Sequence, residues 1–342
     1  MMLKNYSVKA ALGFSALFAA VIGLVFFGKD CSDGALEGIF FCANELLPPL
    51  FPFMALSVFI AKRNVSFGKA GKWFSSALFG FSESLAPVIL LSMIGGYPVG
   101  ARGIKALRDS GAISEKEASL AANVLVGAGP GFLINFVGAE LLGSRELGTA
   151  LLVAQIISVI LLGILNKIIF VKGNYNSDKE TNRRSLPFSE ALTEAVADAS
   201  YGALEMCGMV VAFSAVLKIL EKPFGVYSEV LLEVTNACDT LSKSGRVIPI
   251  AFAAGFGGLC VHFQIFTALR GIKLKKWLFF FFRIIQGLLT AALTLALIKA
   301  FGIAIPVFSS VGTPIELSLS APLAGSAALM LCAVGFLRSV KP

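Results

Sequence analysis

Several apolar runs in this chain reach about 20 residues, the length with which an α-helix crosses about 30 Å of hydrocarbon. Backbone groups inside a bilayer have no water to bond, so such runs satisfy them internally as helices. The composition agrees: 56% of the 342 residues are hydrophobic and only 15% are charged, where a soluble domain carries charge at roughly a quarter of its positions. Phe is unusually abundant at 30 residues, as expected where side chains face lipid. The fold class this implies is an all-α polytopic membrane protein.

The first run, Val8 to Phe27, follows Lys4 and Lys9 and has the outline of a signal peptide. It is long, and no A-x-A-type cleavage site stands clearly before Asp30, so it reads as a retained first helix. The net charge of +8 arises from basic residues clustered beside apolar runs, the pattern of membrane orientation rather than of nucleic-acid binding. Six cysteines (31, 42, 207, 238, 260 and 332) form no CxxC and no metal-ligand spacing. They read as small apolar fillers, with a Cys31–Cys42 bridge conceivable only in an oxidising compartment. Without a zinc spacing, a GxSxG or a Walker loop, the expectation is a non-enzyme with no cofactor and no metal.

Spans are expected at 8–28, 39–61, 118–142, 146–170, 190–218, 277–299 and 321–338, about seven in all. Two further stretches, 73–101 and 226–269, are apolar but interrupted by Gly, Pro and clustered polar residues. The polar segment 171–189 is the only soluble linker of any size. The chain then divides into an N-terminal helix (1–35), a first repeat (36–170), the linker (171–189) and a second repeat (190–342). Lys62, Arg63, Lys69 and Lys72, then Arg102, Lys105, Arg108 and Lys116, make both 62–72 and 102–117 basic and hence cytoplasmic. The stretch between them must enter and leave on one side, as a re-entrant hairpin.

At an offset of 162 (270 − 108), Pro87 falls on Pro249, Gly95-Gly96 on Gly257-Gly258, Val99 on Val261 and Ala106-Leu107-Arg108 on Ala268-Leu269-Arg270. Three crossings per half is odd, so the second copy is expected to be inverted, with two re-entrant hairpins in all. That inversion puts Arg270, Lys273, Lys275 and Lys276 outside, against the positive-inside tendency.

Polar residues inside apolar stretches mark the candidate site. In the first hairpin, Ser82, Glu83 and Ser84 precede Pro87, which suits the first turn of a returning half-helix whose free N–H groups cradle an anion. Glu83 can accept a proton, coordinate a cation or bind a donor; the alternative is a capping turn at the bilayer surface. Gly96, Tyr97 and Pro98 form a second break, read either as unwound backbone at the site or as small-residue packing. A third, Gly127-Ala-Gly129-Pro130-Gly131, lies inside a full span flanked by Asn123 and Asn135, and reads as a discontinuous helix. The second hairpin carries Glu233, Thr235 and Asn236, then Gly257, Gly258, His262 and Gln264. His262 titrates in the range that suits proton coupling, although a lone His is more often a satisfied hydrogen-bonder. Glu45, Glu205 and Arg283 are charges in or near spans. Arg283 can snorkel to the interface or hold a carboxylate in bidentate fashion.

The segments Gly96-Tyr-Pro-Val-Gly-Ala-Arg102, Glu233-Val-Thr-Asn-Ala237 and Gly255-Phe-Gly-Gly-Leu-Cys-Val-His262-Phe-Gln264 resemble the YlbJ (SpoVV) family of sporulation integral membrane proteins, with paired nucleoside-recognition (Gate) domains. The resemblance covers roughly residues 35 to 300. It implies a fold related to concentrative nucleoside transporters, with two re-entrant hairpins around a central site, and dipicolinic acid as substrate. It also implies the cytoplasmic membrane of a bacterium, or the mother-cell-derived outer forespore membrane. Gly127-Ala-Gly-Pro130 stands where the family has a motif like Asn-Pro-Ser-Gly-Pro, and Cys260 where Ser is more usual. The expected function is secondary transport of a small organic anion, with a nucleoside or another small metabolite as the alternative. A sodium or proton coupling ion and a homo-oligomer accompany that reading. A non-transporting membrane scaffold or sensor is the alternative of another class.

Overall fold

The computed structural model describes residues 26–171, 186–224 and 226–305. The expected span 321–338, nearly all of 8–28 and most of the linker fall outside these residues. Among the described residues the protein is all-helical, without a strand. Thirteen helices follow in order: α1 (Gly28–Lys62), α2 (Gly68–Phe79), α3 (Glu83–Gly95), α4 (Tyr97–Asp109), α5 (Glu115–Ala122), α6 (Gly131–Leu141), α7 (Arg145–Phe170), α8 (Phe188–Phe224), α9 (Val226–Leu232), α10 (Val234–Ser242), α11 (Val247–Phe256), α12 (Gly258–Ala268) and α13 (Lys276–Phe301). Five segments are long and apolar enough to cross a membrane: α1, α7, most of α8, α11 with α12, and α13.

The distribution of side chains fits hydrocarbon surroundings. On α13, Phe281 and Leu288 point outward, whereas Arg283, Gln286, Thr290 and Thr294 are fully buried. Apolar groups face out and polar groups face in, the reverse of a soluble helix and the arrangement a lipid solvent favours. Both tryptophans, Trp73 on α2 and Trp277 at the start of α13, are about two-thirds exposed and stand beside lysines, as interfacial anchors do. The protein is therefore membrane-integral.

Small residues let the helices approach. On α1, a Cβ at Gly34 would lie 2.6 Å from Ser214 O of α8, and one at Gly38 would lie 3.0 Å from Val211 Cα. This Gly-x3-Gly spacing brings the two backbones together where lipid gives no hydrophobic drive. Lys62 pairs with Glu194, and Arg63 donates to Leu186 O at 2.8 Å, which ties the end of α1 to the start of α8. The thiols of Cys31 and Cys42 are free.

The interrupted stretches fold differently from expectation. The segment 73–101 does bend near Ser82, where α2 meets α3 at 96°. The fold-back, however, comes at Gly96, and α3 and α4 are its arms. Their close approach runs through Ser92 and Gly100, and through Val88 and Gly103, where a Cβ on either glycine would sit under 3 Å from the facing side chain. Much of the basic segment 102–117, expected as a loop, is thus the returning arm. In 226–269 the reversal falls at Glu233, between α9 and α10, while α11 and α12 form one kinked segment broken at Gly257. The expected span 118–142 is two short helices, α5 and α6, joined by non-helical backbone at 123–130.

These boundaries change the internal correspondence. The offset of 162 pairs the fold-back at Gly96 with the break before α12, two unlike structures. An offset of 131 (276 − 145, and 301 − 170) superposes α7 on α13, each of 26 residues. Each half then reads as long helix, hairpin, broken helix, long helix. The residues flanking loop 110–114 meet the basic loop 269–275. Lys273 N donates to Glu115 Oε1 at 2.6 Å, and Arg108 donates to Glu115 Oε2 at 2.8 Å and to Gly271 O at 3.3 Å. Loop 269–275 thus lies on the same side as Arg108 at the basic end of α4, the arrangement the positive-inside tendency favours.

Candidate functional site

Both hairpin turns and the break between α5 and α6 converge on one cavity with about 70 Å³ of free space. Gly95, Gly96, Tyr97 and Pro98 supply one wall, Gly129, Gly131, Phe132 and Phe136 a second, and Glu233, Val234 and Thr235 a third. Val261 and Gln264 of α12, residues 41–53 of α1 and Met206 and Val210 of α8 complete it. Two stretches of π-helix, Cys42–Leu46 within α1 and the whole of α6, border the cavity; such widened turns recur at functional sites.

The local chemistry explains each wall. Gly96 has φ +89 and ψ −173, a conformation essentially confined to glycine. A Cβ on Gly129 would lie 2.9 Å from Gly96 N and 2.8 Å from Ile94 O, so fold-back and break touch backbone to backbone. Tyr97 donates its hydroxyl to Ala254 O of α11, which joins the first hairpin to the second half. The N-terminal turns of α4, behind Pro98, and of α6, behind Pro130, open on the cavity. Glu233 is the N-cap of α10: its Oε2 accepts from Thr235 N and Asn236 N, both at 2.9 Å.

Of the residues singled out in the sequence, Glu45, Gly96, Tyr97, Pro98, Gly129, Glu233, Thr235 and Gln264 line this cavity, and Pro130 lies between two lining glycines. Gly257 and Gly258 stand just behind. Cβ atoms there would meet Tyr97 Cε1 at 3.4 Å and Glu233 N at 3.2 Å. The others lie elsewhere. Ser82, Glu83 and Ser84 sit at the far end of α3, where Glu83 accepts from Ser66 of the loop after α1 and Ser82 N donates to Glu117 Oε1 at 2.7 Å. Neither Ser82 nor Glu83 makes a side-chain cap to the helix there. Asn236 faces a separate polar cleft of about 320 Å³ with Glu37, Lys218, Asp239 and Lys243.

His262 is fully buried, hydrogen-bonded through Nε2 to Phe256 O at 2.8 Å and surrounded by the rings of Phe256, Phe279 and Phe280. Arg283 neither snorkels nor meets a carboxylate. It donates to Asn123 O and Val126 O, carbonyls that the helix break leaves free. Asn123 therefore takes part through its backbone. Glu205 pairs with Arg102, at 2.7 Å. Two features escaped the sequence reading: Glu117, whose only signal is the Ser114-x-x-Glu117 spacing of an N-cap, and a buried polar row of Gln155, Ser158, Gln286 and Thr290. That row is legible only once α7 and α13 are known to face each other.

No family model, curated protein or solved structure matches the chain.

Proposed function

We propose that this protein is a secondary carrier of a small organic anion, with the cavity between the two hairpin turns as its solute site. In this reading six segments cross the bilayer, the break-containing α5–α6 pair among them, and the hairpins enter from opposite sides as an inverted repeat. The supporting observation is the convergence of three interruptions of helical backbone on one cavity. Broken helices at membrane depth are tolerated where they line a cavity or are buried in protein, and carriers place solutes at such half-helix ends. The mouths of the hairpins lie at opposite ends of α1: Glu83 bonds Ser66 beyond Lys62, whereas Lys243 and Asp239 share a cleft with Glu37.

The lining suits a ring-bearing solute. Phe41, Phe53, Phe132, Phe136 and Tyr97 offer flat apolar surface, and the N-terminal turns of α4 and α6 favour negative charge. Dipicolinate, the substrate implied by the resemblance to the YlbJ-type family, combines both features. A solute of that size displaces lining side chains, so binding is coupled to movement of a hairpin turn. A nucleoside satisfies the aromatic lining but not the anion-favouring turns, and is the second reading. The membrane is that of a bacterium, and the coupling ion is sodium or a proton.

The test is a thermal-unfolding screen of the detergent-purified protein against dipicolinate, small dicarboxylates, amino acids and nucleosides, each with and without sodium. A ligand that binds only the folded state raises the melting temperature. A selective rise with dipicolinate or another dianion is expected. A rise with nucleosides alone moves the assignment to the second reading, and no rise at millimolar ligand favours a non-transporting scaffold.

A further inference from the structure

Arg283 is fully buried, and among the described residues no carboxylate lies within ion-pair distance of it. Its terminal nitrogens are bonded to Val126 O and Asn123 O, but its Nε–H has no partner. One turn along α13, Gln286 is fully buried with neither amide atom partnered. Across the seam on α7, Gln155 accepts from Thr290 Oγ1 at 3.0 Å, while its Nε2 is unpartnered. The two glutamine amides border Gly127. An atom at the Cβ position there would lie 2.6 Å from Gln155 Nε2 and 3.4 Å from Gln286 Nε2, and the carbonyl before it is Arg283's acceptor.

Buried N–H groups without partners are costly and rare, and a buried cation without a counter-ion more so. Carbonyl dipoles offset part of the guanidinium charge but leave its formal +1. A cation is repelled there, and water satisfies the N–H groups without neutralising the charge. A small acceptor-only anion does both, through charge-assisted bonds. We propose that the α7–α13 seam beside Gly127 binds a small monovalent anion, held by Arg283 Nε, Gln155 Nε2 and Gln286 Nε2. A halide and a small carboxylate share this chemistry. The site is separate from the central cavity and does not rest on the carrier reading.

The test uses the full chain in detergent, exchanged into halide-free sodium methanesulfonate at constant ionic strength. Chloride, bromide and formate are titrated separately while thermal unfolding is followed. A saturable rise in melting temperature is expected: with the halides alone for an inorganic anion, with formate alone for a carboxylate. Gln286→Leu weakens the apparent affinity at least tenfold. Gln286→Glu supplies a built-in counter-ion and makes the protein insensitive to added anion while it remains folded, which keeps the test decisive if the leucine variant fails to fold. A wild type that responds to none of the three anions overturns the proposal. So does a response retained unchanged in Gln286→Glu.

Discussion

Gly96 turns the chain where any side chain would be both strained and crowded. Its backbone conformation costs a non-glycine residue about 1–3 kcal/mol, and a Cβ would come within 3.4 Å of Gly129 N. Gly96→Ala is expected to lower stability by that order and to reduce uptake, read by thermal unfolding and by transport into vesicles. Glu233 poses a different question, because its carboxylate caps α10 and also borders the cavity. Loss of a cap costs about 0.5–2 kcal/mol. Glu233→Ala is expected to lose this stability, while Glu233→Gln retains an acceptor oxygen and stays close to wild type. Uptake abolished in Glu233→Gln at unchanged stability would show that the carboxylate acts on the solute or coupling ion as well as on the helix. His262, bonded to Phe256 O inside an aromatic cage, is expected to be dispensable. His262→Phe keeps the ring volume, so uptake and its pH profile should persist with a modest loss of stability; a flattened pH profile would return His262 to the coupling machinery.

The α1–α8 contact rests on two glycines one turn apart. Gly34→Leu or Gly38→Leu places side-chain atoms where the backbone of α8 already lies, so the expected outcome is loss of monodisperse folded protein on gel filtration; Leu36→Ala, on an exposed face, should be tolerated. Such helices were legible in the sequence because a run of apolar residues is a local property, and α7, α8 and α13 lie within a few residues of where hydropathy puts them, whereas α1 begins eleven residues before the expected 39–61. Which interruption becomes a fold-back is not local. Ser82-Glu83-Ser84 and Gly95-Gly96-Tyr97-Pro98 both break a helix, and the choice between them is made by Gly100 and Gly103 fitting against Ser92 and Val88. The same holds at the site. Gly129 and Glu233 were recognisable as breaks in apolar stretches, whereas Gln155 and Gln286 gain meaning only from the pairing of two helices 131 residues apart.

At the scale of the molecule, the two halves are joined outside the membrane by Glu115. The Lys273 amide, and then the Arg108 guanidinium, hold its carboxyl below the usual range. A depressed folded-state value means that the stabilisation is fully present above the unfolded value of about 4.3 and is lost as pH falls through the folded one. Glu115→Gln should therefore melt below wild type at neutral pH, and the difference should vanish in acid; a constant difference down to pH 3 would rule out this linkage. The halves meet again at Arg102. Its guanidinium crosses α8 at Gly202, where a Cβ would collide at 2.5 Å, and it reaches Asp198 on one side and Glu205 on the other. The two carboxylates are seven residues apart, about 10.5 Å along the axis. Sliding α4 one turn along α8 in either direction would forfeit one partner, keep the other and lift the guanidinium out of its notch. Arg102 is placed like a detent between two notches: it resists small displacements of the first hairpin both ways, so a slide of that hairpin along α8 would proceed in discrete steps.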